Sequence, residues 1–522
     1  MGIYFNPNHT DFYNAVNHSQ IYVDKTELIQ YTNSVLFGEQ KYICVSRPRR
    51  FGKSMAANML TAYYSRGCDS KELFQDLKIA THPDFEKHLN QYNVIHLNMQ
   101  NFLSKTQTIE QMIALVTKAV GRDLLRAYPD VDYLDKTILT FMLDDIYQDC
   151  QVPFIFIIDE WDCIFRSRKN QLEEQTKYLD FLRDLLKDKS YIALAYMTGI
   201  LPIKKYGEHS AINVFYEYSM TDASPIEEFT GFTEQEVRKL CEQYNMPFSE
   251  TKKWYDGYCV DGVSIYNPKS VVEAMLRGKF SNYWTQTETY EALKIYIQSN
   301  EFGVQDVILK LLAGEKEKID TTTFSNDMVT FATKDDVLTL LVHLGYLTYD
   351  AKTKEIWIPN DEVMEQFIST VKVMGWGSVV TALETSEKLL QATLSGDEET
   401  VAELIEQAHQ ANASILKYND ENALSCVISL AYYSAQKNYT LHREMPAGKG
   451  FADIVFEPNR NCNLPAMIVE LKWGHSAEEA IEQIKKKDYL DCLQNYHGEI
   501  LLVGVNYDKE KHHTCKIEQV TR

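Results

Sequence analysis

"VSRPRRFGKSM", Val45–Met55, decides how the first half of this 522-residue chain is read. Its end, Gly52-Lys53-Ser54, matches a phosphate-binding loop of the GxxxxGK[ST] type, whose backbone N–H groups wrap phosphates at a helix N-terminus. Arg47 stands where such loops normally begin with glycine. The surroundings favour the loop: an apolar strand ends at Ser46 and a helical pattern starts at Ser54. In this reading Lys53 contacts the β- and γ-phosphates of ATP, Ser54 holds Mg²⁺, and Arg49 and Arg50 add charge near the phosphates. The alternative is a basic turn that merely precedes a helix.

Outward from the loop, "KYICVS", "VIHLNM", "PFIFIID" and "IALAYMTG" are short apolar runs separated by helical patterns. Strands buried on both faces and alternating with helices predict a mostly parallel sheet in an α/β domain. "FIFIIDEWD" closes one such strand with two carboxylates, Asp159 and Glu160. Carboxylates there are costly unless they serve a cation or a water. Asp159 suits Mg²⁺ and Glu160 suits the base for an attacking water. Thr198, ending the next strand, is placed to sense the γ-phosphate. Arg166 and Arg168 follow the acidic strand, and neither is assigned as an arginine offered to a neighbouring subunit.

The net charge of −21 speaks against a protein that coats nucleic acid passively. The surplus is uneven: Leu441 to Arg522 carries 11 Lys or Arg against 13 Asp or Glu, so this end can approach a phosphate backbone. Ten scattered cysteines without a CxxC pair read as free thiols in a reducing cytoplasm. The N-terminus lacks a signal-peptide pattern, and no apolar run is long enough for a membrane span. A cytoplasmic protein without a membrane partner is expected.

After Pro225 the texture becomes helical, and "DDVLTLLVHLGYLTYDAKTKEIWIPN" reads as a helix with a two-stranded wing. The last hundred residues repeat an α/β pattern, α-β-β-β-α-β. Asp453 lies in "FADIVFE", and Glu470 and Lys472 lie 17 and 19 residues later in "IVELKW". Glu470 and Lys472 share one strand face, so two strands can present Asp, Glu and Lys to one point. Carboxylate oxygens suit Mg²⁺ or Mn²⁺, and Lys472 would orient or activate a water beside a scissile phosphate. Glu421 aligns with Leu424 and Ile428 on an inward helix face, which suggests a further metal contact or a supporting role behind the metal ligands. The alternative for the triad is a surface strand with a Glu–Lys pair.

"YVDKTELI" (Tyr22–Ile29), "RPRRFGKS", "IDEWD", "TGILPI" (Thr198–Ile203), "WYDGY" (Trp254–Tyr258) and "YNPKSV" (Tyr266–Val271) together resemble the AAA-ATPase-like family. Its members carry a C-terminal domain of the PD-(D/E)XK nuclease superfamily. The resemblance implies that Arg47 is typical of the family's loop. Gln483 and Tyr489 resemble the helix motif of RecB-like nucleases, which implies that they brace the metal site or the substrate. The expected fold class is α/β: a P-loop NTPase parallel sheet, a helical and winged-helix-like middle region, and a C-terminal restriction-endonuclease-like domain. The expected boundaries are 1–224, 225–374, a helical connector at 375–416, and 417–522. The expected function is an ATP-binding, hydrolysing protein coupled to a Mg²⁺- or Mn²⁺-dependent nuclease acting on DNA. The alternative is an ATP-driven switch or scaffold whose C-terminal fold binds nucleic acid or a partner without cutting. A homo-oligomer is compatible with the sequence.

Overall fold

The computed structural model describes residues 2–203, 212–284, 294, 301–325, 331–374, 377–412, 428–447, 450–459, 462–493, 496–507 and 512–521. The chain divides into two compact units, Met1–Glu288 with Lys318–Val363, and Thr289–Glu317 with Met364–Arg522. Among the described residues no helix is long and apolar enough to cross a membrane.

The first unit is built on five strands: β1 (Tyr42–Ser46), β2 (Asn93–Asn98), β3 (Phe154–Asp159), β4 (Ile192–Gly199) and β5 (Tyr216–Tyr218). They lie in the order β2-β3-β4-β1-β5, and every pair is parallel. Helices cover the faces, so β1, β3 and β4 are buried along their whole length. That double burial is why they read as unbroken apolar runs. The register sets Ser46 beside Gly199 and Asn98 beside Asp159. Polar ends of four strands therefore meet at the carboxyl edge of the sheet, where open α/β sheets take their ligands.

The helix Lys53–Tyr64 rises from that edge and buries Ala57, Leu60 and Tyr64 in the main core. Behind the loop stands a smaller helical region. The helix Glu234–Tyr244 starts in a capping box of Thr233 and Glu236, and Pro268–Arg277 is capped by Asn267 and stopped at Gly278. The helix Lys334–Leu344 is followed by an antiparallel hairpin, Thr348–Asp350 with Glu355–Trp357.

In the second unit the helices Gly377–Ser395 and Glu398–Asn412 share one apolar core with a sheet. That sheet has β6 (Tyr439–Ala447), β7 (Gly450–Pro458), β8 (Ala466–Trp473), β9 (Glu499–Tyr507) and β10 (His513–Thr521) in sequence order. Only β8 and β9 run parallel, joined over one face by the helix Ala477–Lys486. Gly504 has no room for a Cβ, which would lie 2.3 Å from the Ala477 carbonyl, so glycine lets this helix lie close on β9.

Candidate functional site

Two groups of polar side chains stand out, one at the carboxyl edge of the first sheet and one on β7 and β8 of the second. In the first unit the turn from β1 to the helix Lys53–Tyr64 is held by the helix's own first residue. Lys53 is only 6% exposed, and its Nζ donates to the Arg47 and Pro48 carbonyls at 2.9 Å each. Burial lowers its pKa, and the carboxylates of Glu160, Asp162 and Asp159 work against that shift. Gly52 has φ +89°, and a Cβ there would meet nothing within 4 Å, so the backbone faces open space. That space is a cavity of about 1040 Å³, lined by Arg49, Arg50, Gly52, Lys53, Ser54, Glu160 and Arg166 among others.

Asp159 is the hub beneath the cavity. Its Oδ2 accepts from Ser54 Oγ at 2.7 Å and from Asn98 Nδ2 at 3.3 Å. Its Oδ1 accepts from the Glu160 N–H at 3.0 Å and from Thr198 Oγ1. The structure thus gathers Ser54, Asn98 and Thr198 around the Asp159 carboxylate. Glu160 sits next to it in left-handed backbone, φ 56°, with its carboxylate paired to Arg166. Arg166 Nε also lies 3.1 Å from Asp162 Oδ2. Burial works to lower the Arg166 pKa, but Asp162 and Glu160 outweigh it and raise it. Arg166 is thus turned into its own unit's cavity, and Arg168 Nη2 donates to the Gln107 carbonyl.

Arg47 does not face the phosphate cavity. It is wholly buried, and its Nη1 donates to the Ser46 carbonyl at 3.0 Å and the Tyr218 carbonyl at 2.9 Å. Its Nε and Nη2 find no hydrogen-bond partner among the described residues. Burial pulls its pKa down to about 10, against the pull of Tyr196, Asp261 and Glu227. A guanidinium in place of the first glycine therefore ties the loop to β5.

In the second unit, β7 pairs with β8 through Ile454–Val469, Val455–Ile468 and Phe456–Met467. The pairing stops at Asp453, whose Oδ2 accepts from the Leu471 N–H at 2.7 Å. Glu470 is 1% exposed. Its Oε1 accepts from Lys472 Nζ at 2.9 Å and from Gln483 Nε2. Gln483 Nε2 lies 3.2 Å from the Tyr489 hydroxyl, so both helix-side residues stand against this carboxylate. Glu470 Oε2 is buried with no partner among the described residues. Burial and the charge of Asp453 push the Glu470 pKa up to about 7, while Lys472 and Lys487 hold it back. Glu421 lies outside the described residues. Among the described residues no group of three His, Cys, Asp or Glu forms a ready metal cluster. Asp453 and Glu470 nevertheless suit a hard cation: both offer carboxylate oxygen, and one buried oxygen is unmet.

Sequence reasoning missed Asn98 and Asp162. Asn98 closes an apolar strand as Asp159 does, and that was its signal. Asp162 accepts from the Ile200 N–H at 3.1 Å and the Leu201 N–H at 2.9 Å, holding the chain after β4. Only its place in "IDEWD" hinted at this.

Two sites of this kind define a protein with a P-loop nucleotide domain and a separate nuclease-like domain. Residues 8–207 match the family model described as a predicted AAA-ATPase, and residues 419–517 match the PD-(D/E)XK nuclease superfamily. The chain therefore combines an AAA-ATPase-like domain with a C-terminal domain of the PD-(D/E)XK nuclease superfamily. It is 23% identical over 275 residues to an uncharacterized protein in the vnfD 5′ region of Azotobacter chroococcum mcd 1. The match covers 51% of this chain and 51% of that protein, so the chain spans about half the length of the curated relative it matches. Among solved structures it is similar to the Aeropyrum pernix ORC2 protein in its ADPNP-ADP complexes, at 13% identity and TM-score 0.30, covering 68% of this chain and 97% of that one. It is also similar to the A. pernix ORC1 protein in complex with DNA, at 11% identity and TM-score 0.24, covering 88% and 96%. Likeness at this level carries nothing into the assignments below.

Proposed function

We propose that this chain binds and hydrolyses ATP and couples that cycle to a Mg²⁺- or Mn²⁺-dependent nuclease acting on DNA. The observation that carries the nuclease is Glu470. A carboxylate buried to 1% exposure beside a second carboxylate is expensive, and its unmet Oε2 asks for a cation. Asp453 and Glu470 would hold the ion, with Glu421 as a further contact. When bound, the metal would polarise the scissile phosphate and acidify a water. Lys472, already on Glu470, would orient that water or meet developing charge, while Gln483 and Tyr489 keep the Glu470 carboxylate aimed.

In the nucleotide domain Lys53, Arg49 and Arg50 would meet the phosphates, and Ser54 and Asp159 would hold the accompanying Mg²⁺. Glu160 would take the proton of the attacking water, and Thr198 would register the γ-phosphate through Asp159.

The test is one incubation series of the full chain with labelled single- and double-stranded DNA and RNA, with and without ATP and Mg²⁺ or Mn²⁺. Metal-dependent cutting is expected, and Asp453→Ala should abolish it while ATP binding survives. Cutting that persists in Asp453→Ala removes this site. No cutting on any form favours the switch or scaffold.

A further inference from the structure

The two carbonyls that hold Lys53 belong to Arg47 and Pro48. The Pro48 side chain lies against the turn that follows the helix Lys334–Leu344. The Arg47 charge is close enough to His343 to help burial press its pKa down to about 3. Gly345 has φ +86°, and a Cβ on it would stand 2.7 Å from Pro48 Cβ, so the turn touches the loop directly. The loop has a second hold on this region. Phe51 packs edge-on to Tyr258 with ring centroids 5.1 Å apart, and its carbonyl accepts from the Gly231 N–H at 2.9 Å. Tyr258 then donates to the Gly345 carbonyl at 2.9 Å, and the Cys259 N–H donates to Thr348 Oγ1 at 2.7 Å. An unbroken run of contacts therefore leads from the phosphate loop to the hairpin.

The ground under Arg47 is polar and incompletely paired. Tyr196 Oη, Glu227 Oε2 and His343 Nδ1 are buried without hydrogen-bond partners among the described residues. Buried polar groups without partners are costly, so a packing that left them this way gains from any change that supplies one. A packed interface of this sort responds in steps rather than by gradual deformation.

We propose that the helix Lys334–Leu344 and its hairpin read the state of the phosphate loop. A nucleotide takes Lys53 from the Arg47 and Pro48 carbonyls, and the loop passes the change through Pro48 to Gly345 and through Phe51 to Tyr258. The inference rests on the nucleotide reading given above and adds its output. The direction follows from the contacts: Lys53 either closes the loop on itself or serves the ligand, and the first arrangement is the one the helix now packs against.

Hydrogen exchange of the full chain, with and without a non-hydrolysable ATP analogue and Mg²⁺, tests it. Peptides over 47–56 should become protected, and peptides over 341–350 should change their exchange by about five-fold. Tyr258→Phe removes the hydroxyl on the Gly345 carbonyl with little change of shape. Thr348→Val removes the hydroxyl under the Cys259 N–H and keeps the shape. Either should leave the 47–56 response in place and shrink the one at 341–350. Protection at 47–56 with no change at 341–350 overturns the inference and leaves ATP binding standing. A response at 341–350 unchanged in both variants overturns the route. No protection at 47–56 removes the nucleotide reading and this inference with it.

Discussion

The two sites treat their buried carboxylates in opposite ways. Asp159 is 3% exposed and both oxygens are met by donors: Ser54, Asn98, Thr198 and the Glu160 N–H. Glu470 is buried as deeply, yet Oε1 takes two donors and Oε2 none. The lysines differ too. Lys53 is held by backbone carbonyls, whereas Lys472 is held by the very carboxylate it would work with. The nucleotide site is thus closed by neutral acceptors that a phosphate can outcompete. The nuclease-like site keeps an unmet acceptor that a cation or a proton would satisfy.

The sharpest way to break this comparison is to remove the base proposed for the nucleotide side. Glu160→Gln keeps the shape and loses the proton acceptor, with Arg166 left to Asp162. Hydrolysis should fall about 10²- to 10⁴-fold with ATP binding retained. Steady-state phosphate release and nucleotide titration read the two separately. Undiminished turnover would take the role from Glu160.

Lys53→Ala gives a smaller effect. It deletes the proposed charge-assisted contacts to phosphate and also the clasp on Arg47 and Pro48. ATP affinity should weaken roughly 10- to 100-fold by calorimetry, since hydrogen bonds to charged groups contribute about 1.5–3 kcal/mol each. Metal binding at Asp453 and Glu470 should be unchanged. Equal ATP affinity would remove the phosphate-loop reading, and a lost metal response would blur the separation of the sites.

What could be read in the sequence follows from the same physics. β1, β3 and β4 were legible because burial on both faces forces apolar runs, and a carboxylate closing such a run stands out. Within the two five-stranded sheets, two strands escaped. β5 has three residues, and β10, "HTCKIEQVT", is a polar, half-exposed edge strand with little apolar signal. The pairing of Glu160 with Arg166 spans one helical turn that sequence does not orient. The direction of Arg47 was hidden as well, because its partner carbonyl on Tyr218 is 171 residues away. Gln483 was visible only through resemblance, since its contact with Glu470 depends on how the helix Ala477–Lys486 lies on β8.

The smallest expected effect concerns pH, and here the two units should move in opposite directions. His343 is buried, and burial together with the Arg47 charge presses its pKa from 6.5 to about 3. Between those values the unfolded chain takes a proton that the folded unit refuses, so acidification below about 6.5 destabilises the first unit. Glu470 is raised from 4.5 to about 7. Between those values the folded unit keeps a proton that the unfolded chain releases, so the second unit loses stability as pH rises from about 4.5 through 7. Each group changes stability by at most about 1.4 kcal/mol per pH unit inside its window. Exchange-resolved urea melts in EDTA at pH 5.5 and 7.5, followed by peptides from each unit, should show the first unit weaker at pH 5.5 and the second weaker at pH 7.5. His343→Leu should flatten the first trend and Glu470→Gln the second. A divalent cation should reverse the Glu470 penalty at pH 7.5, because it satisfies the ionised carboxylate that otherwise stands unpaired. Parallel trends in both units, or a Glu470→Gln variant with the same slope as the parent, would show that the unmet oxygen is not what separates the sites.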